Sequence, residues 1–231
     1  MPRPSPFQQN QSPFNAIPPV VLILVVIIAG IEAIFQAGAA GIGGPQAVGW
    51  RLEALNAFAF SPPLWDRMVE TGQFPPRQLV RLLSYSFVHL GFGHVVFVLV
   101  FLLALGKMVA EVFGAGAMLA VLVVSAVAGA LAYALVPGVQ QALVGGYPAV
   151  YGLIGAFTFI MWTGLGRVGE SRARAFSLIA FLLGIQLFFG LVFGGGVEWV
   201  ADLGGFAAGF ALSFLVSPGG WRRALERMRR R

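Results

Sequence analysis

The chain contains no cysteine and carries little charge. Without cysteine, disulfides, thiolate metal sites and a cysteine nucleophile are all excluded. Charged residues make up only 10% of the 231 residues, whereas soluble domains carry about a quarter. The chain therefore lacks the polar surface that a water-soluble domain needs. Hydrophobic residues reach 58%, which predicts an all-α protein that crosses a membrane several times.

The net charge of +6 is concentrated at the C-terminus, where the run 221–231 is rich in arginine. Such a run is typical of nucleic-acid binding or of a juxtamembrane tail on the cytoplasmic side. No groove of mixed aromatic and basic residues accompanies it, so the juxtamembrane interpretation is favoured and no nucleic-acid partner is expected.

Six apolar stretches approach the length of about 20 residues that a membrane-spanning helix needs. They are expected at 20–37, 86–105, 115–136, 143–164, 176–193 and 197–216. This predicts a transmembrane domain over 20–217. It follows a tail, 1–19, whose Pro, Gln, Ser and Asn content predicts disorder, and precedes a basic tail, 218–231.

The first loop, about 38–85, is unusually long and mixes charged residues with aromatic ones and two Pro-Pro pairs. This mixture predicts short amphipathic helices at the membrane interface rather than a water-soluble loop. The placement of Lys and Arg predicts that both termini are cytoplasmic. The preference for Arg over Lys, with much Ala and Gly, is typical of a GC-rich bacterial genome and suggests the inner membrane.

Three segments occur in a specific order and spacing. They are the run from Arg81 to His89 with Gly93-His94 after it, the Gly-rich run from Gly145 to Ala156, and the run from Ala201 to Gly209. Together they resemble the rhomboid intramembrane proteases over about residues 81–216. The resemblance implies a rhomboid-like bundle of six transmembrane helices.

The resemblance also implies a chemistry, which is acyl transfer by a Ser–His dyad inside the membrane. In the family the nucleophile lies in Gly-x-Ser-Gly at the start of the fourth span, and the base is a His on the sixth. A His and an Asn on the second span help to hold the oxyanion. A weak nucleophile needs a base to take its proton, and the tetrahedral intermediate needs donors aimed at its oxygen.

Carried over to this chain, the reactive positions are changed. Gly145 retains the first glycine of the motif, but the nucleophile position is Tyr147 and the next glycine is Pro148. The base position is Asp202.

On the second span His94 is retained as one oxyanion residue, whereas the Asn position is Val98. Positions that the family uses structurally are retained at His89, Arg81, Gly106, Gly114, Gly205 and Gly209. The family uses the last two to pack the sixth span closely on the fourth, as small residues do in membranes.

These replacements predict that the chain is not an enzyme. A phenol is a poor acyl-transfer nucleophile, Pro148 has no backbone N–H, and Val98 has no side-chain donor. Losing a single oxyanion donor already costs about a hundredfold or more in rate. The chain is therefore expected to be a rhomboid-like pseudoprotease, with no cofactor and no metal.

Two interpretations of Asp202 stay open. The carboxylate either accepts a hydrogen bond from the Tyr147 hydroxyl, because the family places these positions face to face, or it lies near the outer surface and is hydrated. An unpartnered acid inside a span would be costly.

The remaining polar residues of the spans also allow two interpretations. A metal site at His89 and His94 is disfavoured, because a spacing of five suits one helical face poorly and no carboxylate or cysteine cluster accompanies it. Glu32 and Glu198 could mark an ion path, but solvation at the interface explains them more simply.

The leading function is therefore to bind the transmembrane helix of a client protein, or to remain bound in a membrane complex, without proteolysis. Its partners would be the lipid bilayer and a transmembrane protein. An intramembrane protease with an unconventional site is the first alternative. A small transporter, suggested by Glu32, Asp202 and Glu198, is the second.

Overall fold

The computed structural model describes residues 16–220, and this part of the chain is almost entirely helical. The helices are α1 Pro19–Ala39, α2 Trp50–Phe58, α3 Pro62–Thr71, α4 Pro76–Leu79, α5 Arg81–Ser84, α6 Phe92–Phe113, α7 Ala115–Ala134, α8 Tyr147–Arg167, α9 Ser177–Phe193 and α10 Trp199–Val216. The predicted terminal tails, 1–19 and 218–231, lie outside the described residues except for 16–19 and 218–220. Residue Pro19 already belongs to α1.

The predicted all-α membrane bundle is confirmed. Five of the described helices, α1, α6, α7, α8 and α10, are long and apolar enough to cross a membrane. The remaining predicted span, the fifth at 176–193, corresponds to α9, which has 17 residues. At 1.5 Å per residue α9 covers about 26 Å, slightly less than the hydrocarbon core of about 30 Å. The chain is thus an integral membrane protein.

The boundary predicted for the second span is wrong at both ends. A 3₁₀ turn at Tyr85–Phe87 precedes the extended residue Val88, so the helix begins at Phe92 rather than at residue 86. It then runs past residue 105 to Phe113, through one π-helical turn at Leu102–Gly106. Hydropathy did not reveal the later start of this helix, because the apolar residues before it belong to a turn.

The fourth and sixth spans also begin later than predicted. Leu143 is extended and pairs with Phe60 in an isolated antiparallel bridge, with N···O distances of 3.1 and 2.8 Å. Residue Gly145 then adopts a φ of +91°, so α8 starts only at Tyr147. The last helix starts at Trp199, two residues after the predicted start.

The long first loop folds into short helices, α2 to α5 with a 3₁₀ turn before them, as predicted. Side chains at the end of this loop bind the end of α2 in its middle. The Arg81 guanidinium donates to the carbonyl oxygens of Ala59 and Asn56 at 2.8 and 2.9 Å. The Ser84 hydroxyl donates to the Phe58 carbonyl at 2.9 Å. These contacts hold the loop together, and the Phe60 bridge joins it to the segment that leads into α8.

The helix α8 lies at the centre of the bundle and approaches α10 at backbone distance. Gly205 lies against the Pro148 carbonyl, and Gly209 lies against the backbone of Gly152. A Cβ on either glycine of α10 would overlap these atoms. Packing in a bilayer depends on such close approach, because lipid gives helices little hydrophobic reason to associate.

The helix α9 contrasts with α8, because it lies at the edge of the bundle. Large side chains such as Phe181 and Phe188 are exposed, at 65% and 61%. Among its described side chains only Ile179 is buried. The helix is therefore held to its neighbours over a small area.

Replacing Gly209 with alanine is expected to destabilise the bundle, because the new Cβ would meet the backbone of Gly152. The free energy of unfolding, measured by SDS titration, should fall by about 2 kcal/mol, as for other overpacked sites. The matched control is Gly184→Ala in α9, where no atom lies within 4 Å of the new Cβ. Equal stability of the two variants would contradict the close contact of α8 and α10.

Candidate functional site

The turn before α8 is shaped by Gly145. Its N–H donates to the Tyr85 carbonyl at 2.9 Å, and its positive φ suits glycine. A Cβ at this position would lie 2.5 Å from Cε1 of His94. Glycine therefore allows the chain to turn into α8 directly beside the imidazole ring.

The ring of Tyr147 covers this imidazole. The two rings are stacked, with centroids 4.8 Å apart and planes 21° from parallel. The His94 Nδ1 atom accepts a hydrogen bond from the backbone N–H of Leu90 at 3.3 Å. This bond fixes the orientation of the imidazole ring at the start of α6. The first residue of α8 therefore places an aromatic ring directly against a histidine.

The second histidine, His89, supports the same turn through its ring and its backbone. Its Nε2 atom accepts the N–H of Gly146 at 3.3 Å, and its ring meets His94 edge-on at 5.4 Å. Burial, helped by nearby His94, lowers the pKa of His89 to about 4. The ring is therefore neutral at pH 7, as an acceptor of an N–H must be.

An ion pair joins His89 to α1 and to the first loop. Arg51 donates to both carboxylate oxygens of Glu32, at 2.8 and 2.9 Å, and to the His89 carbonyl at 2.7 Å. Gln36 also donates to Glu32 at 2.7 Å. The expectation that Glu32 is solvated at the interface is wrong, since the residue is only 4% exposed. Its partner could not be identified from sequence because it lies 19 residues away.

The base position, Asp202, is buried at 3% exposure and has a partner that the sequence reasoning missed. Its Oδ2 atom accepts the side-chain N–H of Gln186 at 2.7 Å. Among the described residues no hydrogen bond joins Asp202 to Tyr147, so the predicted pair is not formed. The alternative of an acid open to bulk water is wrong too. The sequence contained a signal for this partner, because Gln186 is the one amide side chain in the apolar helix α9.

The two remaining reactive positions supply no donor. Val98 is buried, and its Cγ1 lies 3.0 Å from where a Cβ on Gly146 would be. Pro148 occupies the first turn of α8, where its missing N–H is tolerated by the helix. Its ring packs against Gly129 of α7. Both side chains fill space that a polar site would leave open.

A cavity of about 260 Å³ opens between the start of α8, α9 and the start of α10. We call it the α8–α10 cavity. Its polar lining consists of His94, Gln141, Tyr147, Gln186, Glu198 and Asp202. The structure thus brings together at one cavity Tyr147, Pro148 and Asp202, three residues that the motifs predict at altered catalytic positions. In contrast, Val98 lines a separate apolar cavity of about 90 Å³.

The other retained positions lie away from this cavity. Gly106 is in the π turn of α6 and faces Val21 of α1, whose Cγ2 lies 3.4 Å from the position of an added Cβ. Gly114 forms the turn between α6 and α7 with a φ of +90°. Within residues 16–220 no three His, Asp or Glu side chains are grouped so that they could hold a metal ion.

Residues 76–219 match the Rhomboid domain. The chain belongs to the rhomboid family. This match agrees with the range of about 81–216 over which the three motifs lie. A comparison with curated proteins found no match. In this rhomboid domain Tyr147 and Asp202, the residues expected at the nucleophile and base positions, line one cavity.

The stability of this rhomboid domain is expected to fall as the pH drops from about 6.5 to about 4 through the depressed pKa of His89. In that range the unfolded chain binds a proton at His89 and the folded chain does not. The loss of unfolding free energy attributable to His89 should approach about 3 kcal/mol and level off below pH 4. Unfolding by SDS at a series of pH values measures it.

The variant His89→Gln is the control, because its amide oxygen can accept the Gly146 N–H but does not titrate. Subtracting its pH profile from that of the wild type isolates His89 from the carboxylates and from His94. A difference profile that is flat between pH 6.5 and 4 would contradict the burial of a neutral imidazole.

Breaking the ion pair by Arg51→Gln is expected to cost about 3 kcal/mol of unfolding free energy, because the buried Glu32 charge loses its cation. The double variant Glu32→Gln, Arg51→Gln removes both charges and should recover most of this loss. If the double variant is as unstable as Arg51→Gln, the stability that Arg51 contributes comes from its contact with the His89 carbonyl and not from the ion pair.

Proposed function

We propose that this rhomboid-family protein is a pseudoprotease that binds the transmembrane helix of a client protein, or is a stable component of a membrane complex, without proteolysis. The observation that carries the proposal is the Tyr147 ring stacked on His94 at the nucleophile position. Acyl transfer needs a hydroxyl or thiol beside a base, and here the hydroxyl belongs to a phenol whose ring packs against the oxyanion residue.

The base position supports the same proposal. The Asp202 carboxylate is occupied by the amide of Gln186 rather than by a nucleophile. Of the two oxyanion positions His94 is retained and Val98 has no side-chain donor, and Pro148 beside them has no backbone N–H. Because nucleophile, base and donors act as a unit in acyl transfer, the loss of the nucleophile, the base and these two donors leaves no serine-type route.

A binding role follows from what the chain retains. The α8–α10 cavity persists, and its wall includes Gln186 of the edge helix α9. Among the described residues the contact from Gln186 to Asp202 is the one side-chain hydrogen bond that joins α9 to its neighbours. A helix held over so small an area can separate locally and admit another helix. We also propose that the protein lies in the bacterial inner membrane, on its preference for Arg over Lys with much Ala and Gly. The placement of Lys and Arg along the chain supports cytoplasmic termini.

The test is a mild-detergent pull-down of the tagged chain followed by mass spectrometry. The wild type is compared with the restored variant Tyr147→Ser, Pro148→Gly, Asp202→His, Val98→Asn. We expect one or two membrane proteins in near-stoichiometric amounts with the wild type. The restored variant should recover the same proteins as cleaved fragments, if they occupy the former substrate site.

The matched control carries the same substitutions except Tyr147→Ser, so that it lacks only the nucleophile. It should recover the partner intact. Cleavage of a transmembrane substrate by the wild type, or its labelling by a fluorophosphonate probe, would overturn the pseudoprotease assignment. Reproducible absence of any partner would count against the binding role.

A further inference from the structure

The turn between α8 and α9 carries a surplus of positive charge. Residues 167–176 include three arginines and one glutamate, a net charge of +2. Arg174 is paired with Glu170, with nitrogen and oxygen 3.0 Å apart. Arg167 and Arg172 are exposed, and neither has a carboxylate partner in the part of the chain that the structure describes. Two guanidinium groups of one turn are therefore available to an anion.

Arg172 is held in place at this turn by an aromatic ring. Its guanidinium carbon lies 4.6 Å from the centroid of the Trp162 ring, in a cation–π contact. Gly166 permits this contact, because a Cβ at that position would lie 2.6 Å from Nη2 of Arg172. Among the described residues none accepts a hydrogen bond from this guanidinium, so its N–H donors remain free. A side chain that is already ordered loses less conformational entropy when it binds a ligand.

The same surface continues into apolar groups at this end of the bundle. Trp162 lies five residues before the end of α8, and Phe214 lies two residues before the end of α10. Their ring centroids are 5.9 Å apart, and Phe214 is 41% exposed. Aromatic residues near the ends of spanning helices lie at the level of the lipid headgroups. The surface therefore offers a cation beside an exposed apolar group, which is the complement of an anionic lipid.

We propose that Arg167, Arg172 and Trp162 form a binding site for the phosphate headgroup of an anionic phospholipid. The planar fork of an arginine donates to two phosphate oxygens at once, and basic sites beside spanning helices suit anionic headgroups. Charge complementarity selects the ligand, because a zwitterionic headgroup carries its own cation. The site lies at the opposite end of α8 from Tyr147, so it goes beyond the proposed function and does not depend on it. The turn continues into α9 at Ser177, so the bound lipid also anchors the start of the edge helix.

The test uses the full chain in maltoside micelles, titrated with phosphatidylglycerol or with phosphatidylcholine of the same acyl chains. Native mass spectrometry resolves each bound lipid and gives the affinity of the first. The wild type should bind the first phosphatidylglycerol at least about tenfold more tightly than the first phosphatidylcholine. Inorganic phosphate in excess, added at constant ionic strength, should not displace the phosphatidylglycerol, because the lipid also contacts the apolar part of the surface.

The variant Arg172→Gln should reduce the preference for phosphatidylglycerol to about twofold or less. Arg172→Lys keeps the charge but loses the guanidinium fork, so it should remove most of the preference as well. Arg167→Gln leaves the contact of Arg172 with Trp162 intact and should weaken the preference even if the Arg172 variants do not fold. The matched control is Arg77→Gln, the same change at an exposed position of α4, which should preserve the preference.

A preference that is lost in the Arg172 variants and kept in Arg77→Gln would establish the site. Equal affinity of the wild type for the two lipids would overturn it. A preference that Arg172→Lys retains in full would overturn it too, because general attraction to positive charge, such as that of the arginine-rich run 221–231, does not distinguish the two cations. Displacement of phosphatidylglycerol by inorganic phosphate would overturn the lipid as the ligand and assign the guanidinium groups to a soluble anion.

Discussion

The structure depends on the backbone contact between α8 and α10. Gly205 and Gly209 bring the two helices so close that carbonyl groups of α8 occupy the space where side chains would be. This contact sets where the first turns of both helices lie. Consequently Tyr147 and Asp202 reach the same cavity although 55 residues separate them. A bilayer offers little hydrophobic force for helix association. Close backbone packing at Gly205 and Gly209 therefore stabilises the bundle, as burial of a large apolar core stabilises a soluble protein.

Around this contact the chain retains the rhomboid fold, and the positions predicted to be reactive hold groups that pack. Val98 fills space against Gly146, Pro148 packs on α7, and Tyr147 stacks on His94. Under the proposed function, each of these residues contributes apolar contact where the family has a donor or a nucleophile. A catalytic site keeps polar groups unsatisfied until substrate arrives, and that arrangement is costly in a membrane. On the proposed function this packing favours a stable binding surface, with Asp202 as a buried acid at the cavity that is hydrogen-bonded to Gln186.

The sequence predicted the parts of the fold that are encoded locally. Apolar runs located α1 and α7 to within about two residues, because length and hydropathy suffice for a spanning helix. The motifs placed Tyr147, His94 and Asp202 at one site. The starts of α6 and α8 were missed, because apolar residues before them form turns. The partners of Glu32 and Asp202 were missed as well, because they are distant in the chain and depend on how helices pack.

The π turn at Leu102–Gly106 gives α6 two separately oriented halves. A π turn closes its hydrogen bonds over one more residue than an α turn, and one residue corresponds to a rotation of about 100° around the axis. The half that carries His94 is thus rotated relative to the half that begins at Lys107. Each half can present its best face to different neighbours: the half that carries His94 lies against α1 and the head of α8, and the half from Lys107 lies against α7 and α8. The cavity end of this helix is thereby free to change its residues without altering how the opposite end packs.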